Sequence, residues 1–185
     1  MPRRPSRCYR YQTRPPYTRR EYIRGVPDPK IRIYVMGNKK GNFDVYLTLV
    51  SLEKGQVSHN ALEAARMTAN RYLNKKLSRD NFFLHIRAHP YHVLRENRMM
   101  AFAGADRLQE GMRRAFGKPI GTAARVRVGS PLVTIGVNKE HINTAMEALR
   151  RVAMKFPMPT RVFVEKGDES IKRKLGLLDI SVIRK

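Results

Sequence analysis

FDVYLTLVSLEKGQVSHNALEAARMTANRYLNKKL, residues 43–77, carries two periodicities in one run. FDVYLTLVSLE (43–53) reads as a strand, and Gly55 ends it. From Ser58 to Leu77 the pattern changes. Leu62, Ala65, Ala69, Tyr72, Leu73 and Leu77 recur at three- and four-residue steps, which draws one apolar stripe along a helix. Asn60 with Glu63 fits a capping box at its start. Arg66, Arg71, Lys75 and Lys76 fall on other faces.

Outward from this run the same grammar repeats. IRIYVM (31–36) alternates and reads as a strand, with Gly37, Asn38 and Gly41 as its turn. FFLHIRA (82–88) is a strand, and YHVLREN reads as another after Pro90. TAARVRVG (122–129) is a strand that places Arg125 and Arg127 on one face by period two. LVTIGV (132–137) is a buried type of strand. Asn138 is positioned to cap a second helix, 139–156, with Ile142, Ala145, Met146, Leu149, Val152, Ala153 and Phe156 as its stripe. PMP stops that helix, and TRVFVE (160–165) follows as a strand. Strand, capped helix, strand thus occurs twice, over 43–88 and 132–165. Ordinary recurrence of β-α-β units explains this better than an internal repeat. Two amphipathic helices on one face of a mixed sheet predict an α+β sandwich.

The flanks differ from this core. Residues 1–30 hold eight Arg and one Lys against Glu21 and Asp28, with six prolines and no apolar period. Tyr9, Tyr11, Tyr17 and Tyr22 are interleaved with Arg3, Arg4, Arg7, Arg10, Arg14, Arg19, Arg20 and Arg24. Arginine contacts phosphate in two places at once and tyrosine offers a flat face, so the segment reads as an arm that orders on nucleic acid. A solvated basic tail is the plainer alternative, but such tails are usually rich in Lys and Ser. Residues 31–167 read as one globular domain. The tail 168–185 is ambiguous, since its LLDISVI could add an edge strand or pack irregularly.

Charge narrows the function. The 185-residue chain has 38 Lys and Arg against 15 Asp and Glu, a formal net charge of +23. Such an imbalance adds self-repulsion to a folded chain and points to a polyanionic partner, nucleic acid before membrane. No run approaches 18 apolar residues, and the N-terminus has no apolar segment of a secretory signal. It is Arg-rich like a transit peptide, but Pro2, Pro5, Pro15 and Pro16 would break the helix such a peptide needs. A soluble cytoplasmic protein is expected. The lone Cys8 rules out an intrachain disulfide. His89 and His92 in HPYH lack a second pair at ligand spacing, so no metal or other cofactor is expected and these histidines pack or contact RNA.

Between Arg98 and Thr122 the periodicity fails, apart from a possible short helix over 106–116. From Arg87 to Arg127 there are nine Lys and Arg against three acids, which marks a functional connection. Its GMRRAFGKPIG (111–121) looks built for phosphate, but it is not a nucleotide-binding P-loop. Gly111 and Gly117 are separated by five residues, and Lys118 is followed by Pro119 where that motif needs a hydroxyl. Asp106 and Glu110, spaced i, i+4, could form a carboxylate pair for chemistry. Partnership with Arg107, Arg113 or Arg114 suits the charge balance better.

The stretch MAFAGADRLQEGMRRAFGKPIGTAARVRVG (100–129) resembles the universal L sixteen family of large-subunit ribosomal proteins, in its archaeal and eukaryotic L ten e form. RRPSRCYRY (3–11), RPPYTRREYIRGVPDPKIRIY (14–34) and EALRRVAMKFPMPTRVFVEK (147–166) are similar to that form too. The resemblance covers roughly residues 1–167. It implies an α/β sandwich with a barrel-like β element, seated against large-subunit rRNA at the base of the central protuberance and incorporated late in subunit maturation. It also implies a basic loop, about Met99 to Thr122, pointing towards the tRNA path near the peptidyl-transferase centre. On this chain the loop's cations are Arg107, Arg113, Arg114 and Lys118, and Gly104, Gly111, Gly117 and Gly121 permit close approach of backbone.

The leading expectation is therefore a structural, non-enzymatic constituent of the large ribosomal subunit. Its partners are rRNA, tRNA, neighbouring ribosomal proteins and assembly factors. The arginines of the arm, with Arg95, Arg98, Arg125 and Arg127, are its candidate RNA contacts. A free RNA-binding or RNA-chaperone protein is the alternative, and an RNA-modifying enzyme a more distant one.

Overall fold

The computed structural model describes residues 4–97 and 115–167. Among the described residues eight strands and two α-helices follow in chain order: β1 (Val35–Gly37), β2 (Val45–Ser51), β3 (Gly55–Ser58), α1 (His59–Lys76), β4 (Phe82–Ile86), β5 (His92–Glu96), β6 (Lys118–Val126), β7 (Pro131–Val137), α2 (Ile142–Ala153) and β8 (Thr160–Lys166). They build a five-stranded sheet, β1-β4-β7-β2-β8, and a three-stranded sheet, β3-β6-β5. The architecture is α+β.

Every pairing is antiparallel, so the sheet expected to be mixed has no adjacent parallel pair. The topology explains why. β7 pairs with both β2 and β4, and β2 pairs with both β7 and β8. The strands joined through α1, β2 and β4, thus point the same way with β7 between them. The strands joined through α2, β7 and β8, likewise flank β2. Two split β-α-β units interleave, each supplying the strand that separates the other's pair. The barrel-like element is an open three-stranded sheet rather than a closed barrel among the described residues.

Alternation in β2 and β7 sends Val45, Leu47, Leu49, Val133, Ile135 and Val137 into the core cluster, where α1 adds Leu62, Ala65, Ala69 and Leu73. α2 adds Ala145, Ala148, Leu149 and Val152, and small residues on both helices let them pack against each other. No helix among the described residues is long and apolar enough to cross a membrane.

Local details depart from the sequence reading. Gly55 opens β3 rather than ending a strand, and β3 runs straight into α1. The cap is therefore Ser58, whose Oγ accepts from the Ala61 amide at 3.4 Å, while Glu63 pairs with Arg66 instead of closing a box on Asn60. Asn138 starts a 3-10 turn, Lys139–His141, through its backbone carbonyl, and its side chain caps nothing. β1 is shorter than IRIYVM, although Ile31 is buried. β6 begins at Lys118, four residues before the expected start, because its ladder with β5 continues to the Glu96–Lys118 pair. Pro119 lacks an N–H for that ladder, and the register shifts beside its partner at Leu94/Arg95.

Candidate nucleic-acid interface

The three-stranded sheet brings the two basic segments together. β5 and β6 pair down to Glu96 and Lys118, so the connection 97–117 leaves and returns at one place. The N-terminal segment bonds to both outer strands of this sheet. On β3, the Gln56 amide donates to the Arg10 carbonyl at 2.8 Å and the Gln56 side-chain amide to the Tyr11 carbonyl at 2.5 Å. Gln12 donates to the carbonyls of Gly55 and Val126. On β5, the Val93 amide donates to the Tyr17 carbonyl at 2.9 Å, and the Tyr17 amide donates to His92 Nδ1 at 2.9 Å. Residues 10–17 therefore supply partners to edge groups that a bare sheet would leave open.

This contact is largely polar, made by backbone groups and by the side chains of Gln12, Gln56 and His92, and it leaves most of the arm's arginine side chains outside. Arg7, Arg14, Arg19, Arg20 and Arg24 are exposed and form no ion pair among the described residues. A 3-10 turn, Arg20–Tyr22, is followed by buried Ile23 and by Gly25 at φ +71°; Tyr22 is 77% exposed. Arg10 pairs with Glu53 at 2.5 Å, and Arg4 lies 3.6 Å from Glu96. Glu96 also accepts from the Tyr9 hydroxyl at 2.5 Å. Burial, then that hydrogen bond, push the hydroxyl's pKa up to about 12. The one acid of the stem is thus engaged by the arm.

Arg95 and Arg125 use donors inside the protein. The Arg95 guanidinium sits 3.4 Å from the centre of the Phe116 ring and 4.7 Å from that of Tyr17, while its Nη1 donates to the Phe116 carbonyl at 2.9 Å. Tyr17 and Phe116 meet edge to face at 5.7 Å. Arg125 Nη2 donates to the Arg14 carbonyl at 2.7 Å. β6 ends at Val126, so Arg127 belongs to the turn into β7 and is exposed, rather than sharing a strand face with Arg125. Lys118 is exposed at the head of β6.

Two loop glycines have steric reasons. Gly117 has φ +78°, and a Cβ there would lie 2.5 Å from the Glu96 carbonyl carbon. A Cβ on Gly121 would lie 2.8 Å from Nε2 of buried His59. The HPYH histidines pack, His89 on Tyr34 with ring centres 5.0 Å apart and His92 under the arm. Burial first, then Arg125 and Arg95, hold the His92 pKa below its ordinary value, which keeps Nδ1 free to accept. Arg3 and Arg98, and Gly104, Asp106, Arg107, Glu110, Gly111, Arg113 and Arg114 of the loop, lie outside the described residues, as does the tail 168–185. Sequence reasoning missed Gln12, Gln56 and Phe116. Two glutamines and one aromatic have no period to announce them, and only the pairing of β3, β5 and β6 gives them a role.

An antiparallel α+β scaffold on a chain with a formal net charge of +23 defines a strongly basic protein. Comparison with known proteins makes this specific. The family model described as ribosomal protein L16p/L10e matches residues 12–163. The chain is 60% identical over 162 residues to a protein of Staphylothermus marinus, covering 88% of this chain and 93% of that one. It is 54% identical over 177 residues to one of Hyperthermus butylicus, covering 93% and 98%. With one of Archaeoglobus fulgidus it is 50% identical over 175 residues, covering 95% and 100%. All three relatives are called large ribosomal subunit protein uL16. The chain belongs to the L16p/L10e family of ribosomal proteins, in its archaeal type, and is a structural component rather than an enzyme.

Proposed function

We propose that this chain, as a constituent of the large ribosomal subunit, binds large-subunit rRNA through its arm and the β5–β6 end of the small sheet. It helps position tRNA near the peptidyl-transferase centre through the basic connection 97–117, with Lys118 where β6 takes up the chain. The observation that carries this reading is the convergence of the arm and the loop's stem on one three-stranded sheet, with the arm held by its backbone and its arginines left outside. Arg3, Arg4, Arg7, Arg14, Arg19, Arg20, Arg24 and Arg127 contact phosphate, and exposed Tyr11 and Tyr22 offer ring faces to unpaired bases. Arg107, Arg113, Arg114 and Lys118 serve the tRNA side. Neighbouring ribosomal proteins and assembly factors are the remaining partners.

The test has two arms. Binding of the full chain to large-subunit rRNA, measured across salt concentrations, should show log affinity falling against log salt with a slope of about −6 to −7 if about eight phosphates are neutralised. Reconstituted subunits carrying Arg113→Ala with Arg114→Ala should assemble but bind tRNA or transfer peptide more slowly. A salt-independent affinity would refute the rRNA reading, and normal elongation by the double mutant would refute the tRNA reading.

A further inference from the structure

We propose that Arg95 is a positioning residue that locks the N-terminal arm to the stem of the basic loop, rather than a phosphate contact. The geometry at the stem points this way. Arg95 lies on the last pairs of the β5–β6 ladder, opposite Pro119 and beside the register shift. A ladder weakened there by a missing N–H needs another tie. The guanidinium supplies it by donating to the Phe116 carbonyl and covering the Phe116 ring at 3.4 Å, which joins β5 to the returning end of the 97–117 connection. Its second ring is Tyr17, held in place through backbone bonds to His92 and Val93. Tyr17 in turn meets Phe116 edge to face. Three groups from the arm, β5 and the loop's return thus close on one another.

Glu96 extends the tie on the neighbouring residue, since it takes the Tyr9 hydroxyl and lies near Arg4. A cation already engaged by a carbonyl and two rings is poorly placed to neutralise an RNA phosphate. Its contribution is to fix where the loop leaves the sheet. The arm and the stem of the loop are thereby held in one fixed relation, because displacing Tyr17 loosens the stem and breaking the stem frees Tyr17.

The proposal is tested first on the free full-length protein, by hydrogen exchange at residues 9–17, 93–97 and 115–121. Arg95→Gln should raise exchange in all three segments by about tenfold. Tyr17→Ala, which removes no charge, should do the same at 93–97 and 115–121. Tyr17→Phe keeps the ring and every backbone bond and should leave exchange unchanged. Arg95→Lys keeps the charge but not the planar fork, and should not restore protection. Unaltered stem exchange in both Arg95→Gln and Tyr17→Ala would overturn the proposal, as would full protection in Arg95→Lys. Circular dichroism of Arg95→Gln, Arg95→Lys and Tyr17→Ala, compared with Tyr17→Phe, guards against reading global unfolding as local release.

The RNA arm of the test rests on the function proposed above and separates the two. With large-subunit rRNA, Tyr17→Ala and Arg95→Lys should weaken binding alike, with the salt slope unchanged. If Arg95 contacts phosphate directly, Arg95→Lys should retain affinity and Arg95→Gln should make the slope shallower by about one; that result also overturns the proposal. If exchange responds as expected while rRNA affinity does not, the tie stands and the reading of this face as an RNA surface fails.

Discussion

At Gly117 the backbone takes φ +78°, and the space a side chain would need is filled by the Glu96 carbonyl group. Both constraints act on the same position, so neither rotation nor a neighbour's movement relieves it. Gly117→Ala should destabilise the fold by about 1–3 kcal/mol, seen as a lowered denaturant midpoint, with the largest rise in exchange at the β5–β6 stem. A neighbouring residue sets a pH dependence. His92 accepts the Tyr17 amide only when neutral, and its pKa lies below the ordinary 6.5. A group whose folded pKa is depressed binds protons more readily when unfolded, so stability rises with pH through this window. Arm docking should be complete above about pH 6.5 and weaken as pH falls below it. Exchange at Tyr17 and Val93 measured from pH 7 to pH 5, and corrected for intrinsic rates, checks this. His92→Gln should flatten the profile.

At the scale of elements, both helices were legible because a stripe survives any misjudged end. Leu62, Ala65, Ala69 and Leu73, with Ala145, Leu149 and Val152, are buried as their spacing requires. Leu149→Ala should cost about 2–5 kcal/mol, measurable by urea denaturation, because Leu149 is fully buried between helix and sheet. The boundaries were less legible. Ser58 caps α1 because β3 delivers the chain to the helix in an extended conformation, and four residues reading GQVS give no strand period. The start of β6 was hidden behind Gly117, Lys118 and Pro119, three residues that spell a turn locally yet sit on or beside a ladder fixed by β5. Strand pairing is a long-range choice, and nothing in a local window reports it. The antiparallel interleaving of the two β-α-β units escaped a local reading for the same reason. The candidate interface divides in the same way. The arm's arginines were visible as composition, whereas the internal duties of Arg95 and Arg125 came only from the strands that carry them.

For the whole molecule, the positive charge and the apolar core are spatially sorted. The core cluster begins at Ile31 and contains no described residue of the arm, which is attached to the small sheet mainly by polar bonds, with Tyr17 against Phe116 and Arg95 and with Ile23 buried. Deleting residues 1–30 should therefore preserve a cooperative thermal transition while weakening rRNA affinity and making its salt slope shallower. Loss of the transition would mean that the arm completes the fold. As a constituent of the large ribosomal subunit, this chain should work as a fixed part of one large ribonucleoprotein particle. The most direct test is sedimentation of the native protein from cell lysate at low and high salt, with and without RNase. Co-migration with the large ribosomal subunit that survives moderate salt and is lost on RNase digestion is the result expected. Migration as free protein, or spread across small RNAs, would contradict it.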